Sequence, residues 1–273
     1  MNMLNSRSIK ALIKLLVLTL IPLSFPIYSW GMTDAEAINK SGRQRMLSQR
    51  MMKSYLMLGA DVKVEVAQKQ LDDSVALFEQ QFLELRDYAP SEEITNKLDK
   101  VESLWVVHRE RIIAQPDKQH VADLMDQNLA LLVACDQVVK AIEAHANVAS
   151  AQLVNISGRQ RMLSQKIAKA YIALYWKVED TELKQEFQQA VQLFDESLQT
   201  LVDSDLNNEA LNRSLRKVGN QWRFSQSGFK LGDDGRYVPT VISVTTESIL
   251  KKMDQITKQY EELMISQHAL AQN

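Results

Sequence analysis

Ser41-Gly42-Arg43-Gln44-Arg45-Met46-Leu47-Ser48-Gln49 recurs residue for residue at Ser157 to Gln165. Asn39 and Asn155 precede the two copies, and Lys53/Lys169, Tyr55/Tyr171 and Leu58/Leu174 follow them at one spacing of 116. Downstream, Val75 and Phe78 still match Val191 and Phe194, and Leu85 matches Leu201. One inserted residue later, Leu98, Val101 and Trp105 match Leu215, Val218 and Trp222; at a spacing of 118, Asp136-Gln137 matches Asp254-Gln255. Self-similarity at a fixed period marks a repeat architecture. Residues 32–150 and 151–273 therefore read as two copies of one unit.

Each unit reads as helix. Apolar residues fall three and four apart, with Gln, Glu, Lys and Asp between them. Gly59 closes the first segment, Pro90-Ser91 with two glutamates opens the third, and Pro116 separates the third from the fourth. The expected helices span roughly 33–59, 62–89, 91–114 and 117–150, then 153–178, 180–204, 207–227 and 240–271. Gly228 to Pro239 reads as a longer loop. Short connections favour antiparallel neighbours, so the expected fold is all-α, two tandem up-down four-helix bundles. From Pro116 to about Val178 only Gly158 interrupts the periodicity. One continuous helix there would stack the bundles along a rod of about 90 Å; a break around Asn147 to Asn155 would lay them side by side. The sequence leaves both arrangements open.

On a helix, Ile38, Gly42, Arg45, Gln49, Met52 and Leu56 form a coiled-coil seam, with Leu47, Met51, Tyr55 and Leu58 on nearly the opposite side. The second seam is Val154, Gly158, Arg161, Gln165, Ala168 and Ile172. Two apolar lines mean packing on both sides, and the Met46, Met51, Met52, Met57 stripe reads as core filling. Arg43, Arg50, Arg159 and Lys166 point away and read as solvated. Arg45 and Arg161 sit inside the seams, where an unpartnered charge is costly. Facing each other at about 6 Å they would repel by roughly 3 kcal/mol at an effective dielectric near 20. Neither repeat has an acid from Ile38 to Leu58 or from Asn155 to Leu174. Relief must come from a carboxylate on another helix or from a bound anion, and a guanidinium fork matches planar oxyanions.

Asn39-Lys-Ser-Gly42-Arg-Gln-Arg45-Met46-Leu-Ser-Gln49 and its copy resemble the signature of the PilJ-type domain of type IV pilus chemotaxis transducers. That domain is related to the periplasmic sensor of nitrate/nitrite-responsive histidine kinases, whose first helix carries Asn-x-x-Gly-x-x-Arg-Met. In those kinases the Arg binds nitrate at a symmetric interface of two such helices. The resemblance covers both units, although the specific motif is only about twenty residues in each. It places that role on Arg45 and Arg161, with Gly42, Gly158, Asn39 and Asn155 at the matching motif positions. Gln49 and Gln165 of the same seams complete the candidate ligand-binding set. The motif does not itself name the ligand. Those relatives continue through a membrane helix into a signalling module, whereas this chain is expected to close with its last helix and to pass its message to a separate membrane partner.

The chain holds 273 residues with a net charge of −2 and one cysteine. No basic face suggests nucleic acid, and Cys135 reads as a buried apolar side chain. Arg7, Lys10 and Lys14 ahead of and within the apolar start, Leu15 to Phe25, and Ser29-Trp30-Gly31 after it, describe a secretory signal peptide over residues 1–31. An uncleaved N-terminal anchor is the alternative. Residues 1–31 hold three Lys/Arg and no acid, so the rest has 29 basic and 34 acidic residues, net −5. The four histidines lie far apart and read as solvated or capping; Gly232-Asp-Asp-Gly235 reads as a plain turn and Trp105 with Trp222 as core. No catalytic constellation, metal site or cofactor is expected. The expected function is a periplasmic sensory or solute-binding module holding a small oxyanion between Arg45 and Arg161. Its expected partners are that anion, a membrane-bound receptor or transducer, and a second copy of the chain in a homodimer. The alternative is a ligand-free helical scaffold for a receptor or pilus component.

Overall fold

The computed structural model describes residues 31–229 and 237–271. The expected signal peptide over residues 1–31 lies outside them but for Gly31, as does the expected turn from Gly232 to Gly235. The described residues are all-α: α1 (Asp34–Gly59), α2 (Val64–Tyr88), α3 (Glu92–Ile112), α4 (Val121–Ala146), α5 (Ala149–Tyr175), α6 (Leu183–Val202), α7 (Glu209–Gln226), a 3-10 turn (Ser227–Phe229) and α8 (Pro239–Ala271). None of these helices is long and apolar enough to cross a membrane.

Local chemistry sets the boundaries. Thr33 and Glu36 form a capping box at the start of α1: the Glu36 N–H donates to Thr33 Oγ1 at 3.3 Å and the Thr33 N–H to Glu36 Oε2 at 2.9 Å. Ser91 accepts from the Ile94 N–H at 3.3 Å and opens α3. After α1 and α5 the chain turns through left-handed residues at matching places, Asp61 (φ 55°) and Lys177 (φ 57°). The continuous rod does not form. Asn147 (φ 47°) takes the left-handed conformation that ends α4, and α5 restarts two residues later.

The described residues from Met32 onward pack as one compact unit. In each repeat the first helix packs on the second and fourth and the third on the fourth, and the most extensive contact among the described helices joins the two first helices, α1 and α5. The repeats therefore lie side by side. α1 and α5 run parallel: their starts, Ala35 and Ala149, line one cavity, and Lys53 near the end of α1 reaches Gln165 on α5 at 2.7 Å. α4 and α8 run antiparallel to them, because Gln49 meets Asn128 while Arg45 meets Asp136, and Arg50 meets Glu247 while Arg43 meets Asp254.

The duplication is repeated in the contacts. Phe78–Trp105 and Phe194–Trp222 stack at 4.3 and 4.0 Å between ring centroids, both at 31°. Gln44 donates to the Phe78 carbonyl and Gln160 to the Phe194 carbonyl, at 3.1 and 2.8 Å. Tyr55 and Tyr171 accept from the Asp117 and Val238 N–H groups, pinning the segment ahead of each fourth helix. The four motif methionines, Trp105, Trp222 and Cys135 are buried as expected, and burial pushes the Cys135 thiol up to about 12. One histidine departs from expectation. His120, His145 and His268 are exposed, but His108 is buried against the Trp105 ring, 6.3 Å between centroids.

Candidate functional site

α1 and α5 approach most closely at Gly42 and Gly158. A Cβ placed on Gly42 would stand 4.0 Å from the Gly158 Cα, and one on Gly158 would stand 3.9 Å from the Gly42 Cα. The helices meet there at ordinary van der Waals distance, and the tightest contact a Cβ would make is 3.2 Å, from Gly158 to Arg161 Nη2. The same two points lie within 3.7 Å of the terminal nitrogens of both Arg45 and Arg161, so the guanidinium ends converge on the glycine contact. Both arginine residues have no exposed surface. Side chains on a helix lean toward its N-terminus, so each arginine reaches back to the asparagine of the opposite repeat. Arg45 Nη2 donates to the Asn155 side-chain oxygen at 2.7 Å and the Asn155 carbonyl at 3.3 Å; Arg161 Nη2 donates to the Asn39 carbonyl at 3.1 Å.

The charges are met from the fourth helices. Arg45 Nη1 pairs with Asp136 on α4 and Arg161 Nη1 with Asp254 on α8, both at 2.6 Å. These are the duplicated aspartates of the 118-residue spacing, to which the sequence alone attached no role. Two further acids were missed. Glu143 accepts from the Asn155 amide and Glu261 from the Asn39 amide. They too lie 118 apart, seven residues beyond each aspartate and so on the same face of its helix. A repeated Asp-x6-Glu was the signal. Each repeat's Arg is thus held by its own fourth helix and by the other repeat's Asn, which makes the junction a reciprocal lock.

The lock is not symmetric in charge. Lys140 pairs with Asp136 at 2.7 Å, whereas Arg43 shares Asp254 with Arg161 at 2.8 Å. Burial and the Arg43 charge bring the Arg161 guanidinium down to about 10; Asp254 opposes this and Arg45 adds the smallest push. Burial likewise lowers Arg45 against the pull of Asp136. At Asp136 and Asp254 burial pushes the carboxyl up, but Arg45 at one and Arg161 with Arg43 at the other outweigh it, and both lie below the usual carboxylate range. Arg45 Nε, Arg161 Nε and Asn39 Oδ1 are buried without a partner.

Gln49 and Gln165 lie one turn further on and do not touch the guanidinium groups. Gln49 donates to Asn128 Oδ1 at 2.7 Å, while Gln165 accepts from the buried Lys53 amine. Arg43 and Arg50, expected in solvent, are largely buried and ion-paired to α8, Arg50 at 2.5 Å from Glu247. Lys166 is similarly drawn to Glu186 at 3.4 Å, and Arg159 is half-buried. The helical wheel gave the angle of Arg43 and Arg50 correctly, but α8 covers that angle; Lys166 is met from α6 instead. Among the described residues no three of His, Cys, Asp and Glu are grouped to hold a metal ion.

A family model described as type IV pili methyl-accepting chemotaxis transducer N-terminal domain (PilJ) matches residues 31–128 and 144–273. No curated protein and no solved structure matches the chain.

Proposed function

Because the chain belongs to the PilJ family of type IV pili methyl-accepting chemotaxis transducer N-terminal domains, we propose that it is a periplasmic sensory module. In this reading a small planar oxyanion, of the nitrate or nitrite kind, binds where Arg45 and Arg161 converge. The observation that carries the reading is the charge at the junction. Arg43, Arg45, Arg161 and the Lys140 amine share two carboxylates, Asp136 and Asp254, while Glu143 and Glu261 are engaged by the asparagine amides. Two guanidinium groups without solvent contact each keep an Nε–H without a partner. An anion entering at the glycine contact takes those donors and offsets the like-charge repulsion. Such a ligand gains its affinity in exchange for part of the aspartate clamps, so its binding shifts α1 against α5. That displacement is what a separate membrane-bound receptor or transducer would read.

Calorimetry with nitrate, nitrite, formate and acetate on residues 32–273 tests this. Saturable heat and a raised melting temperature are expected for at least one of these anions, lost in Arg45→Lys, which keeps the charge but not the fork. A flat response across the four anions overturns the reading. A second reading has its own support: each guanidinium already carries an Asp at 2.6 Å, which suits a ligand-free scaffold whose lock only holds two bundles together for a receptor or pilus component.

A further inference from the structure

The internal symmetry is broken at one place, and there it leaves a cleft. α8 sends Glu247 onto Arg50 and Lys53 of α1, at 2.5 and 3.3 Å. The register of α4 on α8, fixed by Asp136/Asp254 and Glu143/Glu261, puts Leu129 where α8 carries Glu247. Lys166 and Lys169 on α5 stand for Arg50 and Lys53. No carboxylate reaches these lysines from α4; Glu186 of α6 takes them from the other flank, at 3.4 and 2.8 Å. Between α4, α5 and α6 this leaves a cavity of about 320 Å³ with Met125 and Leu129 on one wall and both lysines on another. Asp126, Asp180 and Glu182 also line it. Their counterparts in the other half are Val244, Val64 and Val66. The acids therefore belong to this cleft and not to the duplicated framework.

The chemistry of the lining narrows the ligand. A carboxylate belongs on Lys166 and Lys169, where the other half of the molecule places that of Glu247. Four acids against two amines disfavour a ligand that is only an anion, and a ligand that is only a cation leaves Lys166 and Lys169 sharing the single Glu186 carboxylate. One small molecule meets both demands and covers the apolar wall as well, and the volume lies in the usual range for small-ligand sites. We propose that the cleft between α4, α5 and α6 binds an apolar α-amino acid, its carboxylate on Lys166 and Lys169, its ammonium on the Asp126, Asp180 and Glu182 side, and its side chain against Met125 and Leu129. This inference does not rest on an anion at Arg45 and Arg161.

Calorimetry on residues 32–273 with L-leucine, L-methionine and L-valine tests it, with isocaproate and isoamylamine as leucine analogues bearing one charge each. Saturable binding of at least one amino acid is expected, with both analogues weaker by about tenfold or more, the loss of one charge-assisted hydrogen bond. Leu129→Glu writes the missing carboxylate into the cleft and abolishes binding; Lys166→Ala weakens it about tenfold. Leu129 is 45% exposed, and circular dichroism of both variants should match the parent. No binding of any of the three amino acids, an analogue that binds equally well, or binding untouched by Leu129→Glu overturns the proposal.

Discussion

Arg45 and Asp136 are unequal partners: the guanidinium has no exposed surface, while the carboxylate keeps 27% of its own and a second cation in Lys140. Removing the acid strands a buried charge, whereas removing the base leaves an acid that water and Lys140 still serve. Asp136→Asn should therefore cost about 3–5 kcal/mol in chemical denaturation. Arg45→Met should cost less, and the double variant should recover part of the loss. Equal costs for the two single variants would contradict this account. His108 gives a pH signature. Burial, with a smaller push from Arg111, lowers its folded pKa to about 4 against an ordinary 6.5. Between those values the unfolded chain binds more protons, so the stability that neutral His108 contributes is complete above about pH 6.5. It is lost as pH falls toward 4, by up to about 3 kcal/mol. Unfolding curves across that range should show a steeper acid loss for the parent than for His108→Gln.

Two short elements decide how the helices meet. Asn147 breaks what periodicity alone would run on, because an asparagine tolerates the left-handed conformation that other side chains resist. Asn147→Gly should leave stability unchanged or slightly raised, and Asn147→Val should lower it by about 1–2 kcal/mol without altering the helix content seen by circular dichroism. At the far end of α1, a Cβ on Gly59 would lie 2.3 Å from the Trp176 ring. Trp176 stands just past α5, beneath the Lys118 amine at 5.9 Å from the ring centroid. Gly59→Ala must push that indole aside. It should cost about 1–3 kcal/mol and shift tryptophan emission, even though alanine is the better helix former. An unshifted spectrum with unchanged stability would show that the indole is not held there.

Among the described residues the two repeats meet mainly along α1 and α5, the most extensive helix–helix contact. Hydrogen bonds cross that contact, Arg to Asn and Lys53 to Gln165. A single repeat would expose the apolar seam and leave those groups in water. Residues 32–146 and 149–273, made separately, should each give weak, non-cooperative melting by circular dichroism. Mixed, they should regain one sharp transition and co-elute as a pair, while the intact chain unfolds in one step. Two independent sharp transitions from the separated halves would show that the shared interface is dispensable.

Helicity, the duplication and the inward-facing arginines were legible because they depend on local periodicity and on identity at a fixed spacing. Their acids were not, although Asp136/Asp254 and Glu143/Glu261 stand in plain repeat. A residue in a helical pattern tells which way it points on its own helix and says nothing of what lies opposite. For the same reason Arg43 and Arg50 read as solvated until α8 was seen to cover them. The amino-acid order by itself fixed eight helices, two like halves and a pair of buried cations. The tertiary arrangement alone decided that the halves lie abreast rather than end to end, that each cation is met by its own fourth helix and the other half's asparagine, and that Leu129 leaves a cleft where Glu247 fills its counterpart. Those outcomes come from contacts between residues some 90 to 220 positions apart, and no local pattern encodes which helix closes on which.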